Sequence, residues 1–135
     1  MIFRKYESNK KRSIRNEKKV ARKINARLIA RSGSGDEKGD LIDSKYLYED
    51  KHTVGEYIRF KKEWFGKLKK EAEQFNREPC FTVSLKNKLY KVKLTTPHED
   101  YIEVKGVTKR IYPKHIKDGL LILKVGNEYW RMKEQ

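Results

Sequence analysis

Asp36, Glu37, Asp40, Asp43, Glu49 and Asp50 crowd into one segment, Ser32 to Thr53, of a chain otherwise rich in lysine and arginine. Acids concentrated inside a basic protein mark a place where a cation has to sit. In Tyr46-Leu47-Tyr48-Glu49-Asp50-Lys51, side chains of an extended strand alternate between faces, so Leu47, Glu49 and Lys51 share one side and Tyr46, Tyr48 and Asp50 the other. Glu49 and Lys51 are thereby neighbours on one surface. Asp40 opens the preceding strand and can lie beside the same end of a hairpin, which brings two carboxylates and one ammonium into a small volume. A hard cation such as Mg2+ selects that oxygen set, one or two carboxylates completed by water and a substrate phosphate.

Glu17 is a further candidate, because it falls on the apolar stripe of a helical segment rather than on its basic face. A carboxylate there needs a partner, since burying it unpaired is costly; a metal or its water would supply one. Equally, Glu17 stands in the first turn of that helix, where the helix dipole favours a negative charge. Asp36 is a reserve ligand, and Asp43 fits the strand geometry less well. The glycine-rich Gly33-Ser34-Gly35-Asp36-Glu37-Lys38-Gly39-Asp40 lacks the spacing of a phosphate-binding P-loop, and its acids would repel a nucleotide.

The elements that must position these residues follow from periodicity. Residues 1–15 have too few apolar side chains to pack and read as a mobile basic arm, followed by one domain over 16–135. Val20, Ala21, Ile24 and Leu28 recur at helical spacing, so an amphipathic helix is expected from Asn16 to Arg31, ended by the Ser32 to Gly35 loop. Two short strands around a turn at Asp43, Ser44 and Lys45 make a β-hairpin. Thr53 with Glu56 has the spacing of a capping box, and Ile58, Phe65, Leu68, Ala72 and Phe75 fall on one side of a second helix running to about Arg77. Strands are expected in "CFTVSL" from Pro79 onward and in "LYKVKLT", then in "YIEV", "LLILKV" and "EYWRM" of a strand-rich extension over 96–135, the last two joined by Gly126-Asn127. The expected fold class is α/β: a single domain with a central mixed sheet flanked by helices.

Composition bounds the partners. With 34 Lys and Arg against 19 Asp and Glu among 135 residues, the net charge is +15, a field that attracts polyanions, nucleic acid first among them. An anionic membrane surface and simple solubility are the weaker readings. The arm and first helix are the most basic part: Arg4, Lys5, Lys10, Lys11, Arg12 and Arg15 precede further cations and face only Glu7 and Glu17 up to Arg31. These are the expected phosphate contacts. Cys80 is the single cysteine and the three histidines are scattered, which excludes an intramolecular disulfide and a cysteine-based zinc site. No signal-peptide pattern or long apolar run is present, so a soluble, intracellular, cytoplasmic protein without a membrane partner is expected.

Glu17 on a first helix, a Ser/Gly loop, Gly39-Asp40-Leu41 opening a strand and Glu49-Asp50-Lys51 closing the next together resemble the PD-(D/E)XK nuclease superfamily. The order of these pieces, with a long helix and the "PCFTVSLK" strand after them, is similar to the Holliday junction resolvases of archaea and their phage relatives. The likeness spans roughly Asn16 to Lys86, and Gly39 stands where the family carries proline. It implies a restriction-endonuclease-like core and hydrolysis of DNA phosphodiesters by a metal-activated water. Asp40 and Glu49 would hold Mg2+, with Mn2+ as a substitute, helped by the backbone carbonyl of Asp50. Glu17 would ligate the metal or its water, and Lys51 would position the water and stabilise the developing charge. Ser32 and Ser34 would touch the DNA backbone from a closing loop, unless that loop is an ordinary linker. The family works as a homodimer on four-way junctions, in a host cytoplasm where the source is a phage.

Trp64, Phe65 and Tyr57 give the second helix much aromatic surface, for the core or for a partner. Two rivals stay open: a PD-(D/E)XK endonuclease without junction preference, and a nonenzymatic nucleic-acid-binding module. Without a metal site, Lys51 would simply neutralise Glu49 on a solvated strand.

Overall fold

The turn Asp43-Ser44-Lys45 closes the first strand pair because Asp43 bonds to its own chain. Its carboxylate accepts from the N–H groups of Lys45 (2.8 Å) and Tyr46 (2.6 Å) and from the Tyr48 hydroxyl (2.6 Å). In the computed structural model, which describes residues 27–29, 40–53 and 55–135, this turn joins β2 (Asp40–Ile42) to β3 (Tyr46–His52). β1 (Arg27–Ile29) pairs antiparallel with β2, with Arg27 opposite Ile42. The end of the expected first helix is therefore a strand. The run Leu28-Ile29 suits a strand as well as a helix, and pairing with β2 decides between them. The rest of that helix, with Glu17, and the basic arm lie outside the described residues.

The crossover after β3 differs from expectation at its start. Thr53 caps no helix: its hydroxyl donates to the Ser84 carbonyl (3.1 Å), and residues 55–61 are irregular or extended. Ile58 and Ile111 exchange backbone hydrogen bonds (3.0 and 2.8 Å). The Phe60 N–H donates to Thr108 Oγ1 (2.8 Å) and the Thr108 N–H to the Phe60 carbonyl (2.9 Å). These pairings with a distant segment satisfy backbone groups that a helix would have bonded locally. α1 spans Lys62–Gln74 and buries Phe65, Leu68 and Ala72 at helical spacing. It stops where Asn76 turns to φ 54, two residues beyond the helix, with the Arg77 N–H reaching back to the Ala72 carbonyl (2.8 Å).

β4 (Glu78–Leu85) then lies parallel to β3, with Glu49 opposite Phe81 and Lys51 opposite Val83, completing a strand-helix-strand unit. A two-residue turn at Lys86-Asn87, both at positive φ, leads into β5 (Lys88–Thr95). β6 (Ile102–Glu103) is all that forms of the expected "YIEV" strand, and it lies parallel to β7 (Leu120–Val125). β8 (Glu128–Glu134) pairs with both β7 and β5. The outcome is one mixed eight-stranded sheet in the order β1-β2-β3-β4-β5-β8-β7-β6, an α/β fold with a single α-helix among the described residues rather than helices on both sides. The sheet continues without a break into the C-terminal third.

The main core lies between α1 and one sheet face, where Phe65 meets Phe81 and Trp130 with ring centres 5.1 and 4.9 Å apart. A smaller cluster of Leu41, Tyr48, Cys80 and Leu89 is buried on the other face. Among the described residues no helix is long and apolar enough to cross a membrane.

Candidate active site

Leu47 joins the core beneath α1 whereas Tyr48 joins the cluster on the opposite face, so strand alternation turns Glu49 and Lys51 toward the α1 side. Lys51 Nζ lies 3.7 Å from Glu49 Oε1, and the two side chains are 19% and 17% exposed. Above them, Lys51 Nζ stands 4.1 Å from the centre of the Trp64 ring, in the first turn of α1. An ammonium held over an indole face is attracted by the ring quadrupole, more strongly as water is excluded. The pair sits at the carboxyl end of β3 beside parallel β4, where α/β units leave room for ligands next to the crossover.

Asp40 begins β2. Leu41 pairs with Tyr48 and Ile42 with Leu47, and continuing that register by one residue sets the Asp40 backbone across from Glu49. The pairing itself ends at Leu41–Tyr48, so Asp40 and Glu49 each stand one residue beyond the paired stretch of the hairpin. Asp50 points away from them: Thr82, fully buried on β4, donates its hydroxyl to Asp50 Oδ1 (2.8 Å). Its carboxylate thus belongs to the opposite face, away from Glu49 and Lys51. Glu17, Asp36, Ser32, Ser34, Arg4, Lys5, Lys10, Lys11, Arg12 and Arg15 lie outside the described residues. Among the described residues no three His, Cys, Asp or Glu side chains gather where a metal ion could be held.

Asp43 is committed elsewhere. Burial opposes its charge, but the hydrogen bonds from Tyr48, Tyr46 and Lys45, with the nearby Lys91, outweigh it and lower its pKa. Burial and the bond to Asp43 push the Tyr48 hydroxyl well above its ordinary value, so it remains a donor to the turn. Trp64 is the residue of this site that spacing did not reveal, because its contact with Lys51 depends on where α1 starts. Phe65 is core, Trp64 is packed against the core, and Tyr57 stacks beside Tyr112 (5.5 Å); these aromatics do not form a shared outward patch on α1.

At the far end of the sheet His98, Glu99, Asp100, His115 and Lys117 line an open cleft of about 770 Å³. The His115 Nδ1 accepts the Tyr112 N–H (3.0 Å), and burial together with Lys109 and Lys114 lowers its pKa. No family model, curated protein or solved structure matches the chain.

Proposed function

We propose that the protein is a metal-dependent, structure-selective DNA endonuclease, a Holliday junction resolvase of the PD-(D/E)XK kind. The observation that carries the reading is the Glu49–Lys51 pair, 3.7 Å apart on one side of β3, with Glu49 one residue beyond the Leu41–Tyr48 pair of the hairpin, as Asp40 is on β2. The net charge of +15 supports a polyanionic substrate, and acids at this point of a basic chain make sense with a cation between them and a phosphate.

The oxygen donors suit Mg2+ or Mn2+. Glu49 and Asp40 would hold the ion, with the Asp50 carbonyl and Glu17 completing the set, and the bound ion would supply Lewis acidity and an activated water. Lys51 orients the attacking water toward phosphorus and meets the negative charge that grows on the phosphoryl oxygens. Trp64 holds that ammonium from the α1 side while it stays within ion-pair distance of Glu49. Two symmetric cuts across a junction require two such sites, hence a homodimer, acting on DNA in the cytoplasm.

The test incubates purified protein with a four-way junction and a matched duplex, with Mg2+ and with chelator. Paired, metal-dependent cuts near the crossover are expected. Equal cutting of both DNAs would leave an endonuclease without junction preference, and intact binding with no cutting in Mg2+ or Mn2+ would leave a binding module.

A further inference from the structure

The sheet face turned away from α1 carries cations that the cleavage site does not use. On β5, Lys91 and Lys93 alternate with Tyr90 and Val92, which lie in the core under α1. On β8, Arg131 and Lys133 alternate with the buried Trp130 and Met132. The register sets Lys91 opposite Lys133 and Lys93 opposite Arg131. Paired residues share a face, so the four cations form a two-by-two array with a spacing of about 5 Å across the strands and about 7 Å along them.

Tyrosines flank the array. Lys93 Nζ lies 4.9 Å from the Tyr46 ring centre and Lys91 Nζ 5.5 Å from that of Tyr48. On the other side Lys124, paired with Tyr129 on β8, places its Nζ 5.3 Å from the Tyr101 ring and 5.7 Å from the Tyr129 ring. Tyr101 is 41% exposed.

Like charges directly opposite one another in a ladder are destabilising. Other cations reach carboxylate partners on β8: Lys88 of β5 meets Glu134 at 3.1 Å, and Lys69 of α1 meets Glu128 at 2.6 Å. Lys91, Lys93, Lys124, Arg131 and Lys133 have no such partner among the described residues. Asp43 lies near Lys91, and the remaining positive charge of the array matches a polyanion, while the ring contacts keep the Lys91, Lys93 and Lys124 ammonium groups spread over the face. A broad sheet surface cannot enter a duplex groove, whereas an exposed ring beside a row of cations suits unstacked bases and their phosphates.

We infer that this basic, tyrosine-flanked face of β5, β8 and β7 binds single-stranded nucleic acid, with phosphates on Lys91, Lys93, Arg131 and Lys133 and bases against Tyr101 and Tyr129. The face lies away from Glu49 and Lys51, so it stands or falls separately from the cleavage reading.

The test measures binding of a labelled oligothymidylate by fluorescence anisotropy over a range of salt. Lys91→Gln, Lys93→Gln, Arg131→Gln and Lys133→Gln together should weaken binding by about tenfold or more at low salt and flatten the log–log salt slope by about 0.7 per lost contact. Lys61→Gln, Lys62→Gln, Lys67→Gln and Lys70→Gln, which remove the same charge at exposed positions on and beside α1, should leave binding within a few-fold. Equal weakening by the two quadruple variants, no change in the first, or tighter wild-type binding to a matched duplex would each overturn the proposal. If the first variant does not fold, photo-crosslinking of the wild-type protein to an iododeoxyuridine oligonucleotide decides: adducts on Tyr101 or Tyr129 support the face, and adducts confined to other residues refute it.

Discussion

Lys51 holds its Nζ 4.1 Å from the centre of the Trp64 ring, so the first turn of α1 fixes the direction of the cation that pairs with Glu49 on β3. If that ammonium meets charge that develops only in the transition state, Lys51→Ala should slow single-turnover cleavage about a hundredfold or more with DNA affinity nearly unchanged. If it merely balances Glu49, the pair contributes about 1 kcal/mol or less and the chemical step should barely move. Trp64→Leu should reproduce part of the Lys51→Ala loss, several-fold, and Trp64→Phe should restore most of it, because a phenyl face still attracts a cation. Cleavage by Lys51→Ala within a few-fold of wild type, in a folded protein that binds DNA normally, refutes the assignment.

Glu49→Gln removes a ligand charge while keeping shape, and neither it nor Asp40→Asn removes a phosphate contact. Both variants should lose cleavage and keep DNA binding, with affinity unchanged or tighter because a negative charge near the phosphate has gone. Parallel cleavage and binding assays check this, and wild-type cutting by both variants would end the metal-site reading.

The pairing of Glu49 with Lys51 was legible because it needs nothing beyond a strand and its period of two. The hairpin was legible because Asp43 and its neighbours announce the turn. What remained hidden depends on partners far along the chain. Thr53 has the spacing of a helix cap, yet Ile58 and Phe60 find their bonds on Ile111 and Thr108, and that competition is invisible locally. Leu28-Ile29 is too short a run for periodicity to separate helix from strand. Trp64 over Lys51 requires knowing that α1 begins at Lys62. The alternation of Lys91 and Lys93 is plain in the sequence, but that Arg131 and Lys133 lie beside them follows only from β8 pairing with β5.

Cys80 is fully buried, and burial pushes its thiol up to about 12. The thiolate is the reactive form, so at pH 8 the thiol stays protonated even where reagent could enter. The folded protein should resist a thiol-labelling reagent that modifies the urea-unfolded chain at once, and labelling should follow the rate of opening. Fast stoichiometric labelling without denaturant would place Cys80 outside the cluster of Leu41, Tyr48 and Leu89.

Asp43 makes the fold of the hairpin depend on pH. Its pKa is lowered from 3.8 because the Tyr48, Tyr46 and Lys45 hydrogen bonds outweigh desolvation. A carboxyl whose folded value is depressed gives stability that is fully present above its unfolded value and is lost as pH falls through the folded one. The Asp43 contribution should therefore be complete at pH 6 and shrink below about pH 4. Asp43→Asn keeps the size of the side chain but gives up the ionised acceptor, leaving the Tyr48 hydroxyl and the turn N–H groups less well satisfied; a loss of about 1–3 kcal/mol is expected at pH 6. Because the variant cannot titrate at this position, its deficit relative to wild type should narrow between pH 5 and pH 3. Urea melts of both proteins across that range measure the deficit directly, since carboxylates common to the two cancel in the difference. A deficit that stays constant with pH would show that the turn is held by the shape of Asp43 and not by its charge, and that the Tyr48 hydrogen bond is indifferent to ionisation.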